Sequence, residues 1–141
     1  MQNYGYKISI IDAKLYSEVE VKEKLESFVN DTTVFFGFSV MTVQVLHALE
    51  LSRHLKEFGT KSSIVWGGIH PKLFPEQTSL DPNVDIVVFG HGESTTLEIA
   101  QKIESGNLDF SKTNGVAFRG KVNDSRERDD INTYLSFIPG G

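Results

Sequence analysis

The chain has 141 residues, with 14 Lys and Arg against 19 Asp and Glu, a net charge of −5. That length suits one domain with a proper core, and 39% hydrophobic with 23% charged residues excludes a disordered chain. The acidic balance argues against a nucleic-acid partner, since phosphate neutralisation needs clustered Lys and Arg. With no cysteine, the chain can form no disulfide, zinc–cysteine site, iron–sulfur ligation or thiol nucleophile of its own. No apolar run approaches the roughly 20 residues of a membrane span and no signal peptide opens the sequence, so no membrane association and a cytoplasmic location are expected.

In chain order, Tyr6–Ala13 (YKISIIDA) alternates and then turns apolar, which predicts a strand ending at Asp12. Ser17-Glu18-Val19-Glu20 has capping-box spacing and opens a helix with Val21, Leu25 and Phe28 on one face, broken at Asn30-Asp31. Thr33–Val40 (TVFFGFSV) is a near-continuous apolar run, the pattern of a strand covered on both sides. Thr42 is placed to cap a long helix to about Phe58, with Val45, Leu49, Ser52 and Leu55 on a stripe and Gly59 as its stop. His47 and His54 share a face of it and read as solvated.

Ser62–Trp66 predicts the next strand, ending in Gly67-Gly68, and a proline-rich loop (HPKLFPEQTSLDP) should hold one helical turn from Pro75. Val84–Phe89 is a further buried strand, ending in Gly90-His91-Gly92-Glu93. Ser94 is expected to cap a helix with Leu97, Ala100 and Ile103 inward and Gly106 at its end. Gly115–Val122 reads as a small hairpin turning at Gly120. Residues 123–132 are densely charged and expected to be solvated, and Leu135–Gly141 is a mildly apolar tail.

Strands alternating with helices give an α/β fold with a mostly parallel sheet and helices on both faces. Ligands on such sheets sit outside the carboxyl ends of the strands. There the sequence gathers Asp12, then Ser39-Val40-Met41-Thr42, then Gly67-Gly68-Ile69-His70, then Gly90-His91-Gly92-Glu93. Glycines permit close backbone approach and helix N-termini favour anions, so a binding rim is expected with no ligand named. Each feature has a plainer reading. Gly67-Gly68 fits a tight turn as well as ligand contact, Ser39 can simply satisfy a neighbouring amide, and Glu93 suits the helix dipole alone. A metal pair of His70 and His91 with Asp12 or Glu93 lacks regular spacing. GxSxG, GxxxxGK[ST] and GxGxxG are all absent, so the familiar hydrolase, phosphate-loop and dinucleotide readings fail. Asp12 as a receiver phospho-acceptor lacks the accompanying acidic pair and lysine.

Taken together, GFSVMT, VWGGIHPKLFPEQTSL and VDIVVFGHGESTTLEI resemble the cobalamin-binding N-terminal domain of cobalamin-dependent radical SAM enzymes, over roughly residues 4–139. The resemblance implies a flavodoxin-like (Rossmann-type) sheet with the corrin over its carboxyl rim. Ser39, Val40, Met41 and Thr42 would line the channel for the nucleotide tail, and Gly67, Gly68, Ile69 and His70 would let it pass against the backbone. Gly90, His91, Gly92 and Glu93 would edge its far end or the corrin. In the resembled fold a strand precedes the one at Tyr6–Ala13 and lies at the centre of the sheet. That strand is missing from this sequence, so Tyr6–Ala13 is expected either to shift and pair beside Val34–Val40 or to leave an unpaired edge, which would favour a homo-oligomer, and no axial ligand is assigned. The CxxxCxxC triplet is absent too. Residues 1–122 then read as an N-terminally truncated cobalamin-binding domain and 123–141 as the exit toward a radical SAM domain. S-adenosylmethionine and a 4Fe-4S cluster would belong to that absent domain, and no catalysis is expected of this chain alone. The rival expectation is a flavodoxin-like regulatory or interaction domain with a vestigial rim. A small flavin- or nucleotide-binding domain lacks an acidic ribose partner and a phosphate loop.

Overall fold

The computed structural model describes residues 6–89 and 92–125. Five strands form one sheet in the order β1-β2-β3-β4-β5: Phe35–Ser39, Ser63–Gly67, Ile86–Val88, Val116–Phe118 and Lys121–Val122. The first three are parallel, with Phe35 beside Ser63, Ser39 beside Gly67, and Val65 beside Ile86. β4 adds antiparallel to β3, and β5 folds back on β4. The hairpin turns through Arg119 (φ 52°) and Gly120 (φ 85°), the two left-handed residues that match a tight turn to strand twist.

Among the described residues five α-helices accompany the strands: α1 Glu18–Glu26, α2 Val45–Phe58, α3 Ile69–Leu73, α4 Pro75–Ser79 and α5 Gly92–Glu104. The alternation of β2 and β3 divides the core in two. Ile64, Trp66 and Val87 face Ala48 and Leu55 of α2, with Leu25 and Phe28 packed alongside. Val65, Ile86 and Val88 face Ile99 of α5 together with Phe110 and Val116. Burial on both faces is why β2 and β3 read as continuous apolar runs. The mostly parallel, flavodoxin-like α/β arrangement is therefore the one expected from the sequence.

Several local expectations need correction. No strand forms over residues 6–12, and Asp12 instead caps a 3₁₀ turn at Ala13–Leu15, its side chain accepting from the Lys14 amide at 2.9 Å. The segment has no ladder partner, and a strand without neighbours does not hold itself together. β1 is an edge rather than a covered strand, with Gly37 and Ser39 exposed. The proline loop holds two short helices. A 3₁₀ turn at Thr42–Gln44 precedes α2, so Thr42 is not its cap. α5 begins at Gly92, which puts Ser94 in its first turn, and the buried positions are Thr95, Ile99 and Ala100, not Leu97. His54 is half-buried, 2.7 Å from the Glu26 carboxylate, where it joins α2 to α1 beside a Lys22–Glu50 pair at 3.2 Å. Of the charged stretch only residues 123–125 are described; Asp124 and Ser125 are exposed as expected, while the backbone is tied to the sheet, the Asn123 amide donating to Val116 O (3.0 Å) and the Gly115 amide to Asp124 O (2.8 Å). The expected tail at Leu135–Gly141 lies outside the described residues, as do Gly90 and His91.

The capping box forms as read. The Ser17 hydroxyl accepts from the Glu20 amide (3.2 Å), and the Glu20 carboxylate accepts from the Ser17 amide (3.1 Å). Those hydrogen bonds, the one from the Ser17 backbone first, hold the Glu20 carboxyl below its ordinary value of 4.5. A depressed native pKa stabilises the fold above the unfolded value and is lost as pH falls through the lowered one. Ser17→Ala is expected to cost about 1 kcal/mol at neutral pH. Glu20→Gln should remove part of the acid-side fall in melting temperature, read by thermal denaturation between neutral pH and pH 3.

Candidate functional site

The parallel register sets the carboxyl ends of β1 and β2 level. Val40 ties them together, its amide donating to Gly67 O (2.8 Å) and its carbonyl accepting from the His70 amide (3.0 Å). Gly68 makes this approach possible. At φ 100°, ψ −170° it lies in a region open essentially to glycine alone. A Cβ there would stand 2.7 Å from Val40 N, 3.0 Å from Val40 O and 3.2 Å from the Ser39 hydroxyl. Gly68 is thus explained by the packing of two strand ends. Gly67 is different: its φ is ordinary and a Cβ would meet nothing nearer than Val88 at 4.0 Å.

Beyond these ends lies a concavity of about 460 Å³, lined by Ser39, Gly67, Gly68, Ile69 and Gly92 and floored by Phe35, Gly37, Phe38, Val65 and Val88. A Cβ on Gly92 would meet nothing within 4 Å, so that flank is also open backbone. Three of the sequence segments expected on the rim thus converge on one surface. Val40 does not line it, being a core residue only 1% exposed. Met41 and Thr42 are exposed and do not line it. His70 points aside, its Nδ1 3.4 Å from the Thr42 hydroxyl and its ring 5.2 Å from that of Phe74. Glu93 is exposed at the start of α5, where its carbonyl accepts from the Thr96 hydroxyl at 3.0 Å. Asp12 lies on a second, larger cleft beside β1 and not on this rim. Among the described residues no three His, Asp or Glu side chains gather as metal ligands.

Two lining residues escape the sequence reading. Lys72 sits three positions after Ile69 on α3, so it shares the face that Ile69 turns to the concavity and brings a cation to it. Thr96 comes from the first turn of α5. Lys72 could have been found only by taking HPKL as helical, because as a loop residue it carries no facing, whereas Thr96 lies in a helix that the sequence already predicted. The result is a small, largely apolar hollow with exposed backbone, lined also by two hydroxyl residues, Ser39 and Thr96, and one ammonium, that of Lys72. It suits an elongated, partly apolar arm with an anionic group, and it holds no nucleophile–base pair.

Residues 1–100 match the B12 binding domain family. The chain belongs to that family. It is 27% identical over 118 residues to the anaerobic magnesium-protoporphyrin IX monomethyl ester cyclase of Synechocystis sp., an alignment covering 82% of this chain and 23% of that protein. It is also 25% identical to cytidylyl-2-hydroxyethylphosphonate methyltransferase of Streptomyces wedmorensis, over 100% of this chain and 29% of that one. The chain therefore spans less than a third of the length of these relatives. Membership supports a role in cobalamin binding and the flavodoxin-like reading of the sheet. Among the described residues no helix is long and apolar enough to cross a membrane.

Proposed function

We propose that this B12-binding domain holds a corrinoid at the carboxyl rim of its sheet, for chemistry carried out with a separate domain. The observation that carries the proposal is the convergence of Ser39, Gly67, Gly68 and Gly92 on one hollow next to the strand ends. The hollow, about 460 Å³, takes a nucleotide-sized arm and not a whole corrinoid, so the ring would lie outside it over Met41 and Ile69. Both side chains are more than half exposed and offer the ring an apolar seat. Gly67 and Gly92 let the arm lie against backbone, the Ser39 hydroxyl offers it a hydrogen bond, and Lys72 stands where it can pair with the tail phosphate. Bound there, the cofactor supplies a cobalt centre for methyl transfer or radical chemistry; this chain positions it and shields one of its faces. No axial ligand is assigned: His70 and Glu93 do not line the hollow, and Gly90 and His91 lie outside the described residues. By the resemblance of its rim motifs, the separate domain is a radical SAM domain, which would bring S-adenosylmethionine and the 4Fe-4S cluster.

The test is direct. The chain is mixed with hydroxocobalamin, desalted and its visible spectrum recorded. A retained corrin band in the base-off position is the expected outcome. Gly67→Leu puts a side chain into the hollow without backbone strain, so it should reduce retention at least tenfold at an unchanged melting temperature. A colourless wild-type protein would overturn the proposal in favour of an interaction domain with a vestigial rim.

A further inference from the structure

Asn114 is the only asparagine of the chain that is followed by glycine. Asparagine is chemically labile, and a glycine after it leaves the next amide nitrogen unhindered by a Cβ. The pair lies in the turn that enters β4, with Asn114 exposed and Gly115 buried at φ 80°. Gly115 is fixed on both sides. Its carbonyl accepts from the Phe89 amide (2.9 Å), just after β3, and its amide donates to Asp124 O (2.8 Å), just beyond β5. A reactive dipeptide is thus set within reach of water, with its nucleophilic nitrogen already engaged.

The group that holds that nitrogen is itself held lightly. β5 has two residues, and both are exposed. Beyond them the Asn123 amide donates to Val116 O (3.0 Å), and the Asn123 side chain reaches across to the loop before β4. Its Nδ2 donates to Phe110 O (2.7 Å) and to Thr113 O (2.9 Å), the carbonyl directly before Asn114. Asn123 therefore latches residues 123–124 onto the loop that carries Asn114. A short exposed pairing at the edge of a sheet opens locally at a fraction of the cost of global unfolding.

We propose that Asn114–Gly115 is a site of spontaneous modification, deamidation through a succinimide, and that the Asn123 latch controls its rate. When residues 123–124 swing off, the Gly115 nitrogen gives up its proton and forms a bond to Asn114 Cγ. The Cγ–Nδ2 bond breaks, and that nitrogen leaves as ammonia with the proton. One water then opens the ring at either carbonyl, giving aspartate or isoaspartate. While Asp124 O holds the Gly115 N–H, both loss of the proton and approach of the nitrogen are blocked. Isoaspartate carries the main chain through the side-chain carbons, lengthening it by one methylene just before β4. Gly115 then no longer meets Phe89 and Asp124 while Val116 stays opposite Val88, so the modification releases the end of the hairpin irreversibly. The inference does not depend on what the rim binds.

The test is mass spectrometry of the peptide bearing Asn114 after the full chain has been incubated in mildly alkaline buffer. The free peptide of residues 112–119 is the unguarded reference. The folded chain should deamidate at least roughly tenfold more slowly than that peptide, and Asn123→Ala should raise the folded rate at least roughly fivefold. Ser17→Ala, which lowers stability from α1, should leave the rate unchanged, and Asn114→Gln should abolish the signal because glutamine needs a larger, slower ring. Amide exchange at Gly115, followed by NMR in sub-denaturing urea, is a second reading that needs no variant: exchange and deamidation should rise in step. Several results would each overturn the proposal. A folded chain as fast as the peptide means that the Gly115 amide is not guarded. A folded Asn123→Ala protein with the wild-type rate means that the latch lies elsewhere. Equal acceleration by Ser17→Ala means that global unfolding sets the rate. Exchange that rises while deamidation stays flat means that opening of residues 123–124 is not the controlling step. None of these readouts involves the corrinoid, so the two proposals fail separately.

Discussion

Gly68→Ala is expected to destabilise the protein by roughly 3 kcal/mol, even though it adds a single methyl group at an exposed position. Two costs combine. The backbone at φ 100°, ψ −170° belongs to a region closed to residues with a Cβ. The new carbon would also lie 2.7 Å from Val40 N, inside any tolerable contact. Relief requires the α3 turn to move away from the end of β1, breaking the hydrogen bonds that tie Val40 to Gly67 and His70. Corrinoid retention should fall along with stability. At the neighbouring position Gly67→Ala should leave the melting temperature within about a degree, because the site is unstrained and open. Urea denaturation of the two variants checks the pair. Equal losses at both positions would show that the second glycine is not the clamp between the strand ends.

The two glycines show what sequence alone could and could not decide. Their place after a strand was legible, because SSIVW is a short apolar run bounded by turn residues and β2 is buried on both faces. Their division of labour was not. It depends on the Val40 backbone, 28 residues before Gly68, occupying the place a Cβ on Gly68 would take and not the place of one on Gly67, a geometry set by strand register. The same distinction governs the ends of the chain. The Arg119–Gly120 hairpin was readable because a tight turn is written in adjacent residues. Its antiparallel addition to β3 is a pairing between distant segments and has no local signature. Tyr6–Ala13 has the alternation of a strand and forms none, since alternation records a segment's preference and a strand also requires a partner. Lys72 was passed over because proline-rich sequence suggests loop, yet Pro71 sits within the first turns of α3, where a missing N–H costs little.

Trp66→Ala is expected to cost about 3–5 kcal/mol, the largest single-residue loss among core positions of this fold. The indole is 1% exposed and sits on the interior strand β2, packed between α2 and neighbouring strand residues, with the Phe38 ring 6.4 Å away. Its one polar atom is satisfied, Nε1 donating to the hydroxyl of Ser52 at 3.0 Å, and Ser52 is itself fully buried on α2. A serine on the buried stripe of that helix is therefore explained by the tryptophan across from it. Ser52→Ala alone should cost about 1–3 kcal/mol, because a buried N–H loses its partner while little volume is lost. Trp66→Phe removes the N–H and keeps most of the ring, so adding Ser52→Ala in that background should cost less than in the wild type. The difference, on the order of 1 kcal/mol, is the coupling between strand and helix. Urea denaturation of the four proteins in the cycle measures it. Strict additivity would mean that the hydrogen bond does not join β2 to α2 and that Ser52 is tolerated only for its size.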